Sequence, residues 1–294
     1  MSDILLVIQE RSASIGKSTV GRLLPYRAKR MIGPFIYMDH MGPELFEKDE
    51  NFDVGPHPHI GLSTLTYLLE GSIMHRDTLG NVLEIKPGEV NWMTAGKGIV
   101  HSERTPDYLR NQKKKMHGLQ IWIALPKELE QMEADFYHAG KESLPQWNVG
   151  DVSFKLIAGE AFGRKSPVPV YSKLFFVEVK SLSNQTLSIV NELFSEAGIY
   201  ILEGSIEAEG KNFEAGQLVV SKNSMLPEFL ISAGSTVFLL GGEPFPEERF
   251  IDWNFVSSSR VLLEEARQRW IAQEFGQITG ENDFIPLPNL KPEN

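Results

Sequence analysis

Two short runs in this chain carry metal-binding residue types at a spacing that suits a shared site. The first is Gly55-Pro56-His57-Pro58-His59 and the second is Gly98-Ile99-Val100-His101-Ser102-Glu103. In a β-strand, residues i and i+2 point to the same face, so each run projects two side chains in one direction. Pro58 restricts the backbone towards an extended conformation, which helps present both rings on one side. The glycines of Thr94-Ala95-Gly96-Lys97-Gly98 give the freedom that a tight barrel turn needs ahead of His101. Two such strands facing each other make a pocket of three imidazoles and one carboxylate. That donor set suits Fe(II), Mn(II), Co(II), Ni(II) or Cu(II), with Zn(II) as a further candidate. A lone histidine is usually an ordinary core or surface residue. Here three of the chain's seven histidines fall in these two runs, and the pairing makes a metal site the better reading.

The elements that must position these residues read as short strands. Leu62–Leu69, Asn81–Ile85, Val90–Thr94, Leu119–Leu125, Leu174–Val179, Gly198–Leu202, Gln217–Ser221 and Thr236–Leu240 are rich in β-formers and separated by turn residues. Strands this short at this spacing predict barrels or sandwiches. An internal repeat supports barrels: Tyr67-Leu-Leu-Glu-Gly-Ser-Ile73 matches Tyr200-Ile-Leu-Glu-Gly-Ser-Ile206 in six of seven positions, which is visible in the sequence itself. A second glycine turn follows each copy, at Gly88 and Gly216. Two related β-domains are the economical interpretation, with the division placed at residues 1–145 and 146–294. Extending the repeat places Val190 and Glu192 at the positions of His57 and His59, and Phe229 and Ile231 at those of His101 and Glu103. The second copy therefore keeps the scaffold and lacks the ligands, so one metal ion per chain is expected. Ser257, Ser258 and Ser259 offer N-caps for one helix, whose Leu262, Leu263, Ala266, Trp270 and Ile271 recur at helical spacing. The tail 285–294, with three prolines, reads as extended.

The chain of 294 residues has no cysteine, which excludes disulfides, iron–sulfur clusters and thiol nucleophiles. A reducing, cytoplasmic setting is the simplest expectation. No apolar run reaches the ~18–20 residues of a membrane span, and the acidic N-terminus does not read as a signal peptide. The net charge of −10 argues against direct nucleic-acid or anionic-membrane binding. Lys113-Lys114-Lys115 reads as a solvated loop. Gly16-Lys17-Ser18-Thr19 looks like the end of a phosphate-binding loop, but Arg11 stands where the leading glycine is needed, so a nucleotide site is not expected.

At this point the chain resembles the pirin family of the cupin superfamily. The resemblance is carried by Arg30-Met-Ile-Gly-Pro-Phe-Ile-Tyr-Met-Asp39-His40-Met-Gly-Pro43, by the two histidine runs, by Tyr67 through Asp77, and by Gly241-Gly-Glu-Pro-Phe-Pro246. It implies an all-β fold of two face-to-face cupin barrels (double-stranded β-helix, or jelly roll) with a C-terminal helix. It also implies His57, His59, His101 and Glu103 as ligands, with iron as the usual metal. One departure is visible. Many cupins and pirins carry a glutamate four or five residues after the second histidine, where this chain has Ser63 and Thr64, and Ile60 stands where a basic residue is common. Glu103 is then the carboxylate ligand.

An octahedral ion held by four protein ligands keeps two open positions for water, dioxygen or a chelating substrate. The resemblance implies a quercetin 2,3-dioxygenase-type oxygenase that opens a flavonol with dioxygen, with Glu103 as the base that accepts the hydroxyl proton. The alternative it implies is a non-enzymatic, redox-sensitive regulator that binds protein partners such as transcription or metabolic factors. Fold alone does not choose between a small aromatic substrate and a protein partner, so whether the chain is an enzyme stays open here. His75 is either a pocket residue or part of a salt-bridged surface strand.

Overall fold

The computed structural model describes residues 3–15, 18–189, 193–221 and 228–288. Among these residues it is built from short strands with one α-helix, Arg260–Ile271. All eight segments expected to be strands are strands. By contacts the chain divides into two compact units. One draws on 1–13, 20–40 and 139–245, the other on 14–19, 41–138 and 246–294. The sequence reading has a single cut at 145/146, whereas each unit here is discontinuous. The reason lies in pairing: Ile4–Gln9 runs antiparallel to Gln217–Ser221, which draws the N-terminal strand into the unit of the second repeat copy.

That first unit pairs Ile4–Gln9, Gln217–Ser221, Glu196–Glu203, Thr236–Gly242, Leu174–Ser181, Val152–Ala161 and Gln146–Val149 in this order, with a second sheet of Gln185–Leu187, Phe229–Ile231, Ser205–Ala208 and Lys211–Glu214. Its interior is apolar, with Ile199, Ile201, Ile206, Ala208, Phe229, Ile231 and Leu239 in one buried cluster.

The second unit repeats the plan. Asp53–His59, Ile99–Arg104, Ile73–Asp77 and Val82–Ile85 form a four-stranded sheet. Val90–Thr94, Leu62–Glu70 and Lys114–Ala124 form the centre of the larger one. The repeated glycine closes the same strand–turn–strand corner in both units. Gly71 has φ +82° and Gly204 φ +74°. A Cβ on either would lie 2.2 Å from an oxygen, the Lys115 carbonyl in one case and Ser235 Oγ in the other, so only glycine fits.

The register corrects one expectation. Glu103 pairs with Val54 and His75. In the other unit Leu187, the counterpart of Val54 in the repeat, pairs with Phe229, and Ile206, the counterpart of Ile73, pairs with Ile231. Phe229 therefore stands at the place of Glu103, two residues earlier than the glycine spacing suggests, because the segment between Gly216 and this strand is two residues shorter. The counterpart of His101 becomes residue 227, which lies outside the described residues together with Val190 and Glu192.

The helix buries Leu263, Ala266 and Trp270 against Ile60, Val100, Phe255 and Phe275, while Ile271 is exposed. Ile60 and Val100 are chain neighbours of His59 and His101, so the helix backs the two histidine strands. Ser259 is the N-cap residue but makes no side-chain cap. Ser257 and Ser258 donate to the Glu130 carboxylate instead, at 2.7 Å and 3.1 Å. A buried acceptor outcompetes the helix end. Glu130 also holds Arg249 at 3.0 Å, with both side chains inaccessible or nearly so. Removing one partner of such a pair strands the other charge, at a cost of about 3–5 kcal/mol. Glu130→Ala is therefore expected to lose stability on that scale in denaturant unfolding, and a loss under ~1 kcal/mol would place the pair among ordinary surface contacts.

Candidate metal centre

The strands Asp53–His59 and Ile99–Arg104 are antiparallel neighbours, with His101 directly across from His57. All four expected residues are buried: His57 is 7 %, His59 1 %, His101 1 % and Glu103 7 % exposed. One nitrogen from each of the three histidines comes together within 4.8 Å. Among the described residues this is the one such group, and Glu103 lies outside it. The ring centroids of His57 and His101 are 4.4 Å apart, and those of His59 and His101 are 5.0 Å apart.

Backbone carbonyls fix how two of these rings carry their protons. His57 Nδ1 lies 2.8 Å from the Gly55 carbonyl and His59 Nδ1 lies 3.1 Å from that of Asn254. A carbonyl only accepts, so each Nδ1 carries the hydrogen and each Nε2 keeps a free lone pair. His59 Nε2 then faces His101 Nε2 at 3.1 Å. Two nitrogens at right angles around one ion, each ~2.1 Å from it, stand about 3.0 Å apart. His101 Nδ1 is buried with no hydrogen-bond partner, so no competing contact holds this ring. The donor set present fits a transition metal.

Burial controls the charges. It pushes His57 down to about 4. His59 and His101 fall well below the ordinary range for the same reason, with the neighbouring imidazoles adding to it. All three are neutral at pH 7, the form in which imidazole is a ligand. Burial moves Glu103 the other way, upward, while His75 and a hydrogen bond from Thr66 pull it back.

Sequence reasoning missed Thr66, Gln120 and Trp122, and it left His75 open between a pocket and a surface strand. The Thr66 hydroxyl lies 3.3 Å from Glu103 Oε1 and 2.9 Å from the Gln120 side-chain oxygen. His75 is no surface residue: it is 3 % exposed, bonded to Asp77 at 3.0 Å, stacked on Phe136 at 4.6 Å, and 5.3 Å from the His101 ring. Trp122 meets His59 edge-on at 5.1 Å. The repeat holds the signal that would have found Thr66 and Gln120 and decided the case of His75. Thr66, His75 and Gln120 correspond to Ile199, Ala208 and Leu239, all in the apolar core of the other unit. An inward position that is polar in only one copy marks a site.

A buried group of three convergent imidazoles, in a chain that repeats the same barrel with an apolar interior, defines a bicupin with one candidate metal centre. The comparisons agree: residues 17–123 match the pirin family model and 176–276 match the pirin C-terminal cupin domain. A pirin-like protein of Caulobacter vibrioides is 47 % identical over 96 % of this chain and 99 % of its own. A Pseudomonas aeruginosa protein provisionally named a quercetin 2,3-dioxygenase is 39 % identical over 98 % of this chain and 89 % of its own. The crystal structure of quercetin 2,3-dioxygenase from Acinetobacter baumannii superposes with a TM-score of 0.90 at 35 % identity, covering 99 % of this chain and 97 % of that one. The chain belongs to the pirin family. No helix among the described residues is long and apolar enough to cross a membrane.

The depressed histidines set a pH dependence. Their folded values lie below the ordinary 6.5, so the unfolded chain takes up protons first. Stability is complete above pH ~6.5 and falls as pH drops towards about 4, by up to about 1.4 kcal/mol per pH unit for each histidine. Metal-free protein is expected to melt progressively earlier from pH 7 to pH 4.5, with a shallower slope in His59→Phe. A melting temperature flat across that range would contradict neutral buried imidazoles.

Proposed function

We propose that this pirin is a mononuclear metal-dependent dioxygenase that opens a flavonol such as quercetin, with His57, His59, His101 and Glu103 as the metal ligands. The observation that carries the reading is the convergence of three neutral imidazoles, with the buried Glu103 carboxylate two residues along the strand from His101. Bound there, a divalent ion, with Fe(II) the first candidate, supplies a Lewis-acid anchor for a flavonol 3-hydroxyl and an entry point for dioxygen.

The protein's own residues do the rest. Glu103 accepts the 3-hydroxyl proton, because a buried carboxylate raised above its usual range is a better base near pH 7. The Thr66 hydroxyl, shared with Gln120, orients that carboxylate. Gly55 and Asn254 hold His57 and His59 in the tautomer that leaves Nε2 free. Trp122, against His59, and His75, stacked on Phe136 and near His101, place aromatic rings beside the imidazoles, which suits an aromatic ring system. The similarity to proteins bearing the quercetin 2,3-dioxygenase name supports the choice of substrate class, and the reaction would release carbon monoxide as the ring opens.

The test loads the full chain in turn with iron, nickel, copper, manganese or cobalt and follows the flavonol absorbance in air. One metal ion per chain and turnover with at least one metal are expected. His57→Ala should lose metal and turnover together. Glu103→Ala should drop turnover by ~10²–10⁴-fold, the usual contribution of a positioned base. Tight metal binding with no turnover for any metal would sink the enzyme and leave a non-enzymatic, partner-binding role.

A further inference from the structure

We propose that the C-terminal segment 276–288 acts as a clamp on the metal centre, with Glu281 as its positioning residue. The inference rests on the metal-site reading above. Strand alternation turns Ser102 and Arg104 to the face opposite His101 and Glu103. On that face the Glu281 carboxylate accepts from Ser102 Oγ at 2.7 Å, from Arg104 Nε at 2.9 Å and from Arg104 Nη2 at 2.6 Å. Arg104 Nη2 donates also to Asp283 at 2.6 Å. The Glu281 side chain is 8 % exposed, so these are not loose surface contacts.

The same segment grips the other histidine strand. Ile285 N donates to the Pro56 carbonyl at 2.8 Å, one residue before His57. Asp283 and Arg104 lie over Gly55: a Cβ there would stand 3.3 Å from Asp283 Oδ2 and 3.8 Å from Arg104 Nη2. Gly55 is the residue whose carbonyl holds His57 Nδ1. Trp270 Nε1 donates to the Ile285 carbonyl at 3.0 Å, which ties the segment to the helix. The clamp therefore lands beside His57, between His101 and Glu103, and immediately after Glu103.

These contacts fall on the one irregularity between the two strands. His101 stands across from His57, but Glu103 stands across from Val54 and not from Gly55, so the register shifts between them. The extra residue is a β-bulge, and a bulge re-aims the side chains beside it. The stagger it creates fixes where Glu103 stands relative to the three imidazoles. Glu281 binds one strand through Ser102 and Arg104, Asp283 adds a second contact to Arg104, and Ile285 binds the other strand through Pro56. Losing Glu281 lets the stagger relax while every ligand side chain remains.

The experiment titrates full-length wild type, Glu281→Ala and Glu281→Gln with Co(II), reading affinity by chelator competition and coordination by the visible absorption bands. Wild type is expected to bind one Co(II). Glu281→Ala should bind about 10–100-fold more weakly, the usual loss for a group that supports metal ligands, with altered band intensities. Glu281→Gln keeps an acceptor for Ser102 and should recover part of the affinity. It also carries the test should the alanine variant fail to fold. Variants with wild-type affinity and an identical spectrum, even if they melt earlier, overturn the clamp and leave the metal site standing. A wild type that takes up no Co(II) overturns the metal-site reading and the clamp with it.

Discussion

Three imidazoles facing each other inside a β-barrel must stay uncharged, and much of the second unit follows from that constraint. Protonating any one of them would bury a cation against two neighbours with no carboxylate inside the group. Neutral rings escape this, but each neutral ring still carries one N–H that needs an acceptor. For two of the three rings the fold answers with backbone carbonyls, which accept without adding charge. Gly55 serves His57 from within the same strand, across the bulge. Asn254 serves His59 from a segment almost two hundred residues away. The path that brings 246–288 back to the histidine strands, and the helix packing on Ile60 and Val100, thus belongs to the site as much as the histidines do.

The same constraint separates the two copies of the barrel. In the copy without histidines, the inward positions are Ile199, Ala208, Phe229 and Leu239, and they close into a dry core. In the other copy the matching positions are Thr66, His75, Glu103 and Gln120, all buried and polar. Such groups cost stability unless each finds a partner, and the chain Gln120–Thr66–Glu103 and the pair His75–Asp77 provide partners. One scaffold therefore accepts either filling, and these partners offset the cost of the polar one, although His101 Nδ1 stays buried without an acceptor.

Much of this was legible in the residues. His57, His59, His101 and Glu103 are all buried, and the three histidines converge while Glu103 stands outside their group. The Tyr67 and Tyr200 motifs located the same corner twice, because a glycine at positive φ is a hard local requirement. What stayed hidden was non-local. Glu130 captured Ser257 and Ser258 from the helix end, and no local pattern reveals a buried carboxylate more than a hundred residues away. The two-residue offset at Phe229 came from a shorter connecting segment, which glycine spacing cannot measure. His75 read equally as surface or pocket, because a strand of five residues shows too little alternation to orient itself.

Glu103 carries the remaining tension. On the proposed reading, as a ligand it would contribute its negative charge to the ion, whereas as a base it would give that charge up to a proton. Its position outside the tight three-histidine group and its upward displacement by burial fit a carboxylate that moves between these two states. Thr66 has one hydroxyl proton and two acceptors in reach, Glu103 and Gln120. Donation to Glu103 favours the charged carboxylate, and donation to Gln120 releases it towards the protonated form. On that reading, rotation of this one buried hydroxyl would favour one state of the carboxylate over the other without moving any histidine.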